Sequence, residues 1–170
     1  VLTSRNAPDS VTGFNRQLYN WQGSVSLQHE LRPGLGVNVG YFRTWYGNFL
    51  ATDNLAVAPA DYNEYCYNAP TDSRLGSVSG QRICGLYDLN PAKFGQVNNL
   101  ITQHSHYAAR TEIYTGVDIN INARFLRGGQ LSGGASIGRT TTENCGVIDT
   151  PSTRYCKVTP PWSSGSQVKF

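Results

Sequence analysis

Residues Glu112 to Phe125, EIYTGVDININARF, alternate so regularly that an extended strand is the conformation they fit. Ile113, Thr115, Val117, Ile119, Ile121, Ala123 and Phe125 fall on one side, and Glu112, Tyr114, Gly116, Asp118, Asn120, Asn122 and Arg124 on the other. A period of two is the signature of a β-strand. It leaves open which face meets water: the apolar side is the core of a soluble sandwich but the outside of a membrane barrel.

Three further segments repeat the pattern. Arg16 to Leu31 sets Tyr19, Trp21, Val25, Leu27 and Leu31 against Asn20, Gln22, Ser24, Ser26, Gln28 and Glu30. After a tight RPGLG turn, Arg32 to Gly36, comes Val37 to Tyr46, with Val37, Val39, Tyr41 and Trp45 on its apolar side and Arg43 interrupting it. The opening strand turns through RGGQ, Arg127 to Gln130, into Leu131 to Arg139, whose apolar face of Leu131, Gly133, Ala135 and Ile137 is small. The ending, SGSQVKF, is expected to open a fifth strand. The expected fold is therefore all-β, an antiparallel up-and-down meander of four or five long strands with long disulfide-bearing loops. Its parts are a hairpin over 16–46, a loop over 47–106, a hairpin over 107–139, a loop over 140–162 and the start of a strand over 163–170.

This arrangement puts both short turns at one end and both long loops at the other. Long loops without structure of their own are unusual in a compact soluble domain, whereas short turns opposite long loops are the habit of outer-membrane barrels. Tyr19 and Trp21 come level with Trp45 and Tyr46 at the loop end, and all but Tyr46 lie on the apolar face, as an interfacial girdle requires. Leu31, Leu35, Val37 and Phe125 gather at the turn end. A strand of 16 residues at ~3.3 Å each spans ~50 Å, more than the ~9–11 residues that cross a bilayer, which fits a large barrel standing above the membrane. The same aromatics also suit the core of a sandwich.

Composition narrows the classes. Of 170 residues only 15% are charged, and the net charge of +3 includes no basic block, so nucleic acid is not indicated. The absence of Met and of a charged-then-apolar leader reads as a mature, processed or fragmentary chain. No apolar run approaches the ~20 residues of a membrane helix, a test that leaves barrel strands untouched. Cys66, Cys84, Cys145 and Cys156 lack zinc-site spacing and read as two disulfides formed in an oxidising compartment. Of the three connectivities, Cys66 with Cys84 and Cys145 with Cys156 is favoured, because each pair closes a short local loop; four reduced cysteines is the alternative.

The runs YNWQGSVSLQHELRPGLGVNVGYFRTWYGNF, NPAKFGQVNNLITQ, TEIYTGVDININARF and KVTPPW resemble the C-terminal barrel region of TonB-dependent-receptor-like outer-membrane proteins that carry a carboxypeptidase-regulatory-like extension. The resemblance runs from about Gly13 onward and rests on extent rather than on one motif. It implies a bacterial outer-membrane or cell-surface location, a roughly 22-stranded transmembrane barrel, a plug in its lumen, and import of a small-molecule, glycan or peptide ligand caught by the extracellular loops. Its partners would be outer-membrane lipid and the remainder of its own barrel and plug. Neither plug nor TonB-contacting segment is present in these residues, and four or five strands cannot close a barrel. The resemblance therefore casts the chain as part of a larger wall.

Chemistry is sparse. GASIG, Gly134 to Gly138, matches the serine-hydrolase elbow, but no His follows His106 and Ser136 sits mid-strand. No catalytic constellation emerges, and a non-enzyme is expected. His104 and His106 would share one face of a strand as weak metal-ligand candidates, with His29 far away. No cofactor is expected; Asp61, Glu64, Asp72 and Asp88 would bind Ca²⁺ only by converging. The best recognition feature is DYNEYCYNAP, in which Tyr62, Tyr65 and Tyr67 beside a disulfide offer stacking surfaces, or else pack the loop's own core. Arg110 and Arg124, with Glu112 and Asp118, are placed on the wet face to steer a polar solute. The leading expectation is a receptor or transporter barrel segment in ligand binding or uptake. The alternative is a secreted soluble β-sandwich that binds glycans through its Tyr-rich loop, with a small secreted hydrolase behind it.

Overall fold

The structure, a computed structural model, describes residues 3–125 and 128–169. Arg127 of the expected RGGQ turn and the final Phe170 lie outside them. The strands are β1 (Ser4–Asn6), β2 (Tyr19–Arg32), β3 (Leu35–Gly47), β4 (Leu50–Asn54), β5 (Tyr62–Asn68), β6 (Arg82–Leu89), β7 (Asn99–Gln103), β8 (Thr111–Arg124), β9 (Gln130–Glu143), β10 (Lys157–Val158) and β11 (Ser163–Lys169). One short helix, α1 (Pro8–Val11), follows β1. The chain divides into two compact units. One holds 1–18, 48–110 and 143–157, and the other 19–47, 111–142 and 158–170.

The second unit is the meander. Its strands run in the order β2, β3, β8, β9, and β11 and the short β10 both pair with β9. The β2–β3, β3–β8 and β9–β11 pairs are antiparallel. At the β2–β3 turn Pro33 fixes the first central φ and Gly34 takes φ +82°, the positive value that a type II turn demands. Glu30 Oε1 accepts the Gly34 N–H at 2.9 Å. The register pairs Trp21 with Trp45, Val25 with Tyr41 and Leu27 with Val39, and carries these rows on to Ile113, Val117 and Ile119. One face is thus apolar apart from His29 and the row of Gly23, Arg43 and Thr115, and its β2 stripe is uncovered: Trp21, Val25 and Leu27 are 70, 67 and 69% exposed. The opposite face carries Asn, Gln, Ser and Gly. There Tyr114 lies flat across Gly116 of its own strand and Gly138 of β9, filling the space where both lack a side chain.

The first unit corrects the expectation that the long loops have no structure of their own. β4 and β7 pair antiparallel, β1 adds to β7 in parallel, and β5 and β6 form a separate hairpin. These strands are too short for a period-two pattern to stand out, and their partners are far apart in sequence. The core is small: Ala51, Val57 and Ala69 are its buried apolar residues, beside the buried polar Ser10, Thr102, Gln103 and His104. A unit with so little to bury depends on cross-links. Disulfides Cys66–Cys84 and Cys145–Cys156 form in the favoured pairing.

Candidate functional site

The tyrosine segment is a strand, not a coil. Tyr62 is half-buried at the start of β5, while Tyr65 and Tyr67 are exposed. Between them the register shifts: Cys66 faces both Cys84 and Gly85, and Gly85 takes φ +76°. Such a bulge re-aims neighbouring side chains. The disulfide crosses it, and Glu64 Oε1 accepts the Gly85 N–H at 3.2 Å. Two phenol rings are therefore exposed on a disulfide-crossed hairpin. Burial and the charges of Asp149 and Asp61 hold the Tyr62 hydroxyl above its usual range.

Arg110 and Arg124 fall in different units. Arg110 precedes β8 and stacks on Phe49, its guanidinium carbon 4.4 Å from the ring centre. Arg124 ends β8 in the other unit, its backbone N–H bonded to Gly34 O at 2.7 Å. In the chain the whole of β8 lies between them. Glu112 and Asp118 share the polar face with Arg124, opposite Tyr46 and Gly40.

The histidine pair diverges. His104–His106 forms a single 3₁₀ turn instead of a strand, and at three residues per turn positions i and i+2 point about 120° apart. His104 is 2% exposed and uses Nδ1 on Ala108 O at 3.0 Å. His106 lies 3.2 Å from Asp9 Oδ2 and 3.1 Å from Thr102 Oγ1. His29 sits opposite Val37 in the other unit. The loop acids do not converge either. Asp61 caps the Ala58 N–H and pairs with Lys93 at 3.2 Å, and Asp72 pairs with Arg74 at 2.6 Å. These contacts hold both carboxyls below the usual range, the Ala58 amide leading for Asp61 and the Arg74 side chain for Asp72. Asp88 is exposed opposite Asn63. No group of three metal-ligating side chains assembles among the described residues.

The titratable cluster that does form joins Asp53, Tyr107 and Asp149. Tyr107 donates to Asp53 Oδ2 at 2.7 Å, and the Asn54 N–H donates to Asp149 Oδ1 at 3.0 Å. Burial raises the Asp149 carboxyl, and its hydrogen bond to Asp53 raises it further. Burial, then Asp53, push the Tyr107 hydroxyl up to about 12. The cluster fastens the disulfide-closed 145–156 segment onto β4. No sequence signal marks it, since Asn54 and Asp149 are 95 residues apart.

The meander's polar face curves into an open trough of about 710 Å³, lined among others by Gln28, Asn38, Asn120, Asn122, Gln167 and Lys169. Neutral amides and hydroxyls dominate it, so it suits polar, uncharged groups and water. Ser136 lies on this wall in mid-β9, opposite Gly165. It occupies a regular strand rather than the sharp strand-to-helix turn that makes such a serine a nucleophile.

The apolar face carries two arginines. Arg43 lies over Trp45 with its guanidinium carbon 5.2 Å from the ring centre, and Arg139 lies over Trp162 at 4.5 Å. Trp162, directly before Ser163, joins Tyr19, Trp21 and Trp45 at the loop-side end of that face. Comparison with family models, with curated proteins and with solved structures found no match to the chain.

Proposed function

We propose that the chain is a wall segment of a bacterial outer-membrane barrel of the TonB-dependent type, working in ligand binding or uptake. The observation that carries this reading is the polarity of the six-stranded sheet: its uncovered face is Trp, Val, Leu and Ile, and its concave face is Asn, Gln and Ser. In water that arrangement is inverted, because an exposed apolar strip of this length costs roughly 25 cal/mol for every Å² left wet. Against lipid it is the stable arrangement, with the polar wall facing an aqueous lumen. The remainder of the barrel and a plug would supply closure, since open edges are not tolerated in hydrocarbon.

The hairpin that presents Tyr65 and Tyr67 is the element suited to touch a glycan or peptide ligand, by stacking and by hydroxyl hydrogen bonds. A secreted sandwich is the poorer reading, because the meander unit contains one sheet and a sandwich core needs two inner faces. Size-exclusion chromatography with circular dichroism tests the proposal. The expected result is a folded, monodisperse species only in detergent micelles; a folded 170-residue monomer without detergent overturns it.

A further inference from the structure

The geometry points to a phosphate-binding site on the outer face of the sheet, formed by Arg43 and Arg139 and occupied by the headgroup of an anionic membrane lipid. This rests on the lipid-facing reading of that surface. Arg43 pairs with Gly23 on one side and with Thr115 on the other. Thr141 Oγ1 bonds Ile113 O at 3.4 Å, and Gly134 abuts Asn120. That stagger sets Arg139 opposite Thr115. Gly23, Arg43, Thr115 and Arg139 thus form one row across the sheet, with the arginines two strand spacings apart, roughly 10 Å.

Three observations give the row a ligand. Among the described residues no hydrogen bond or ion pair reaches either guanidinium, and each is held by a tryptophan ring instead. Arg43 Nε is also closed off from solvent without a partner, so this guanidinium's hydrogen-bonding capacity is not met within the chain. Trp45 lies two residues nearer the loop end than Arg43, and its ring reaches back over Gly23 into Arg43's own row, where the guanidinium rests on it. Arg43 is thus tied to the aromatic rim, the level at which a lipid-facing arginine meets headgroups. Two planar, permanently charged forks at headgroup level fit a phosphate better than any neutral lipid. Carboxylates would compete for them, but the row holds none, and on the apolar face the described acid nearest to it is Glu143 at the end of β9, which pairs with Lys157.

The test uses the whole chain in dodecylmaltoside micelles, with fluorescent phosphatidic acid or phosphatidylcholine as the probe and anisotropy as the readout. Wild type should prefer phosphatidic acid. At the strength of a basic residue near an anionic leaflet, R43Q and R139Q should each cut that preference roughly fivefold, and the double variant roughly twentyfold. Binding of phosphatidylcholine should stay unchanged in all of them. Equal binding of the two lipids by wild type, or a preference that survives the double variant, overturns the site. Inorganic phosphate that displaces the lipid probe at concentrations matching its own ionic strength effect leaves the lipid assignment standing, whereas saturable displacement beyond that of equimolar chloride makes the occupant free phosphate and overturns it. If the double variant fails to recover the wild-type circular dichroism, the single variants decide in the same way. A chain folded and monomeric without micelles instead removes the lipid-facing reading, and this inference with it.

Discussion

Leu27→Arg tests the orientation of the sheet at its most sensitive point. Leu27 lies in mid-β2, in the row Leu27, Val39, Ile119 of the apolar face. It is six residues from Trp21 at the aromatic rim, about 20 Å along the strand. With a strand tilt of about 40°, this becomes a depth of about 15 Å, near the middle of an apolar band about 25 Å tall. An arginine at that depth costs about 2–4 kcal/mol in a bilayer, whereas the same change on a water-exposed strand falls within about 0.5 kcal/mol. The assay is urea unfolding of the chain in phosphatidylcholine bicelles, followed by tryptophan fluorescence. At a usual urea slope the loss corresponds to a midpoint lowered by roughly 1–2 M. Gln28→Arg, one residue on and facing the trough, supplies the control and should leave the midpoint in place. Equal midpoints for Leu27→Arg and wild type, or equal losses for the two variants, would refute the argument that the apolar face meets lipid.

Replacing Cys145 and Cys156 by Ser opens a loop of 11 residues' separation and should cost the first unit about 3 kcal/mol, read as a lowered Tm; reductant, which opens Cys66–Cys84 as well, should lower the wild-type Tm further. Asp149 has a raised pKa, so its contribution is full below the ordinary Asp value of 3.8 and is lost as pH rises through its higher folded value. Asp149→Asn should therefore melt above wild type at neutral pH and together with it in acid; a difference that does not change with pH would count against the pair with Asp53. Gly34→Ala places a Cβ 2.8 Å from Arg124 O at a positive φ, and should destabilise the β2–β3 hairpin by about 1–3 kcal/mol in chemical unfolding, with no loss refuting the turn assignment.

The meander was legible because alternation is local: β2, β3, β8 and β9 each declare their faces within one strand. Their ends were less so. β9 continues past Arg139 to Glu143 because Thr140–Thr142 keep an extended run beside β8, where Thr141 bonds Ile113 O. Both disulfides were readable because each closes a short loop. The first unit was not, since Leu50 pairs with Gln103 and Ser4 with Asn99, and no short-range pattern encodes such meetings. For the same reason Asp53, Tyr107 and Asp149 escaped notice, while Tyr65 and Tyr67 were visible by composition alone. The histidines misled because H-x-H converges only on a strand. Arg43 was visible as an interruption of an apolar face, but its counterpart Arg139 gained meaning only from the stagger between β8 and β9.

Tyr114 carries a consequence for how the meander chooses among its own near-copies. A slide of β9 past β8 by two residues would keep every apolar side chain on the apolar face, so burial alone discriminates poorly against it. The ring needs a seat of two adjacent positions without Cβ, and Gly116 is the one glycine of β8. Sliding β9 by two residues in either direction brings Ser136 or Thr140 to the place of Gly138, and the ring no longer lies down. The tyrosine and its two glycines act as a key that fits one alignment of the two strands, selecting it where hydrophobic patterning is indifferent.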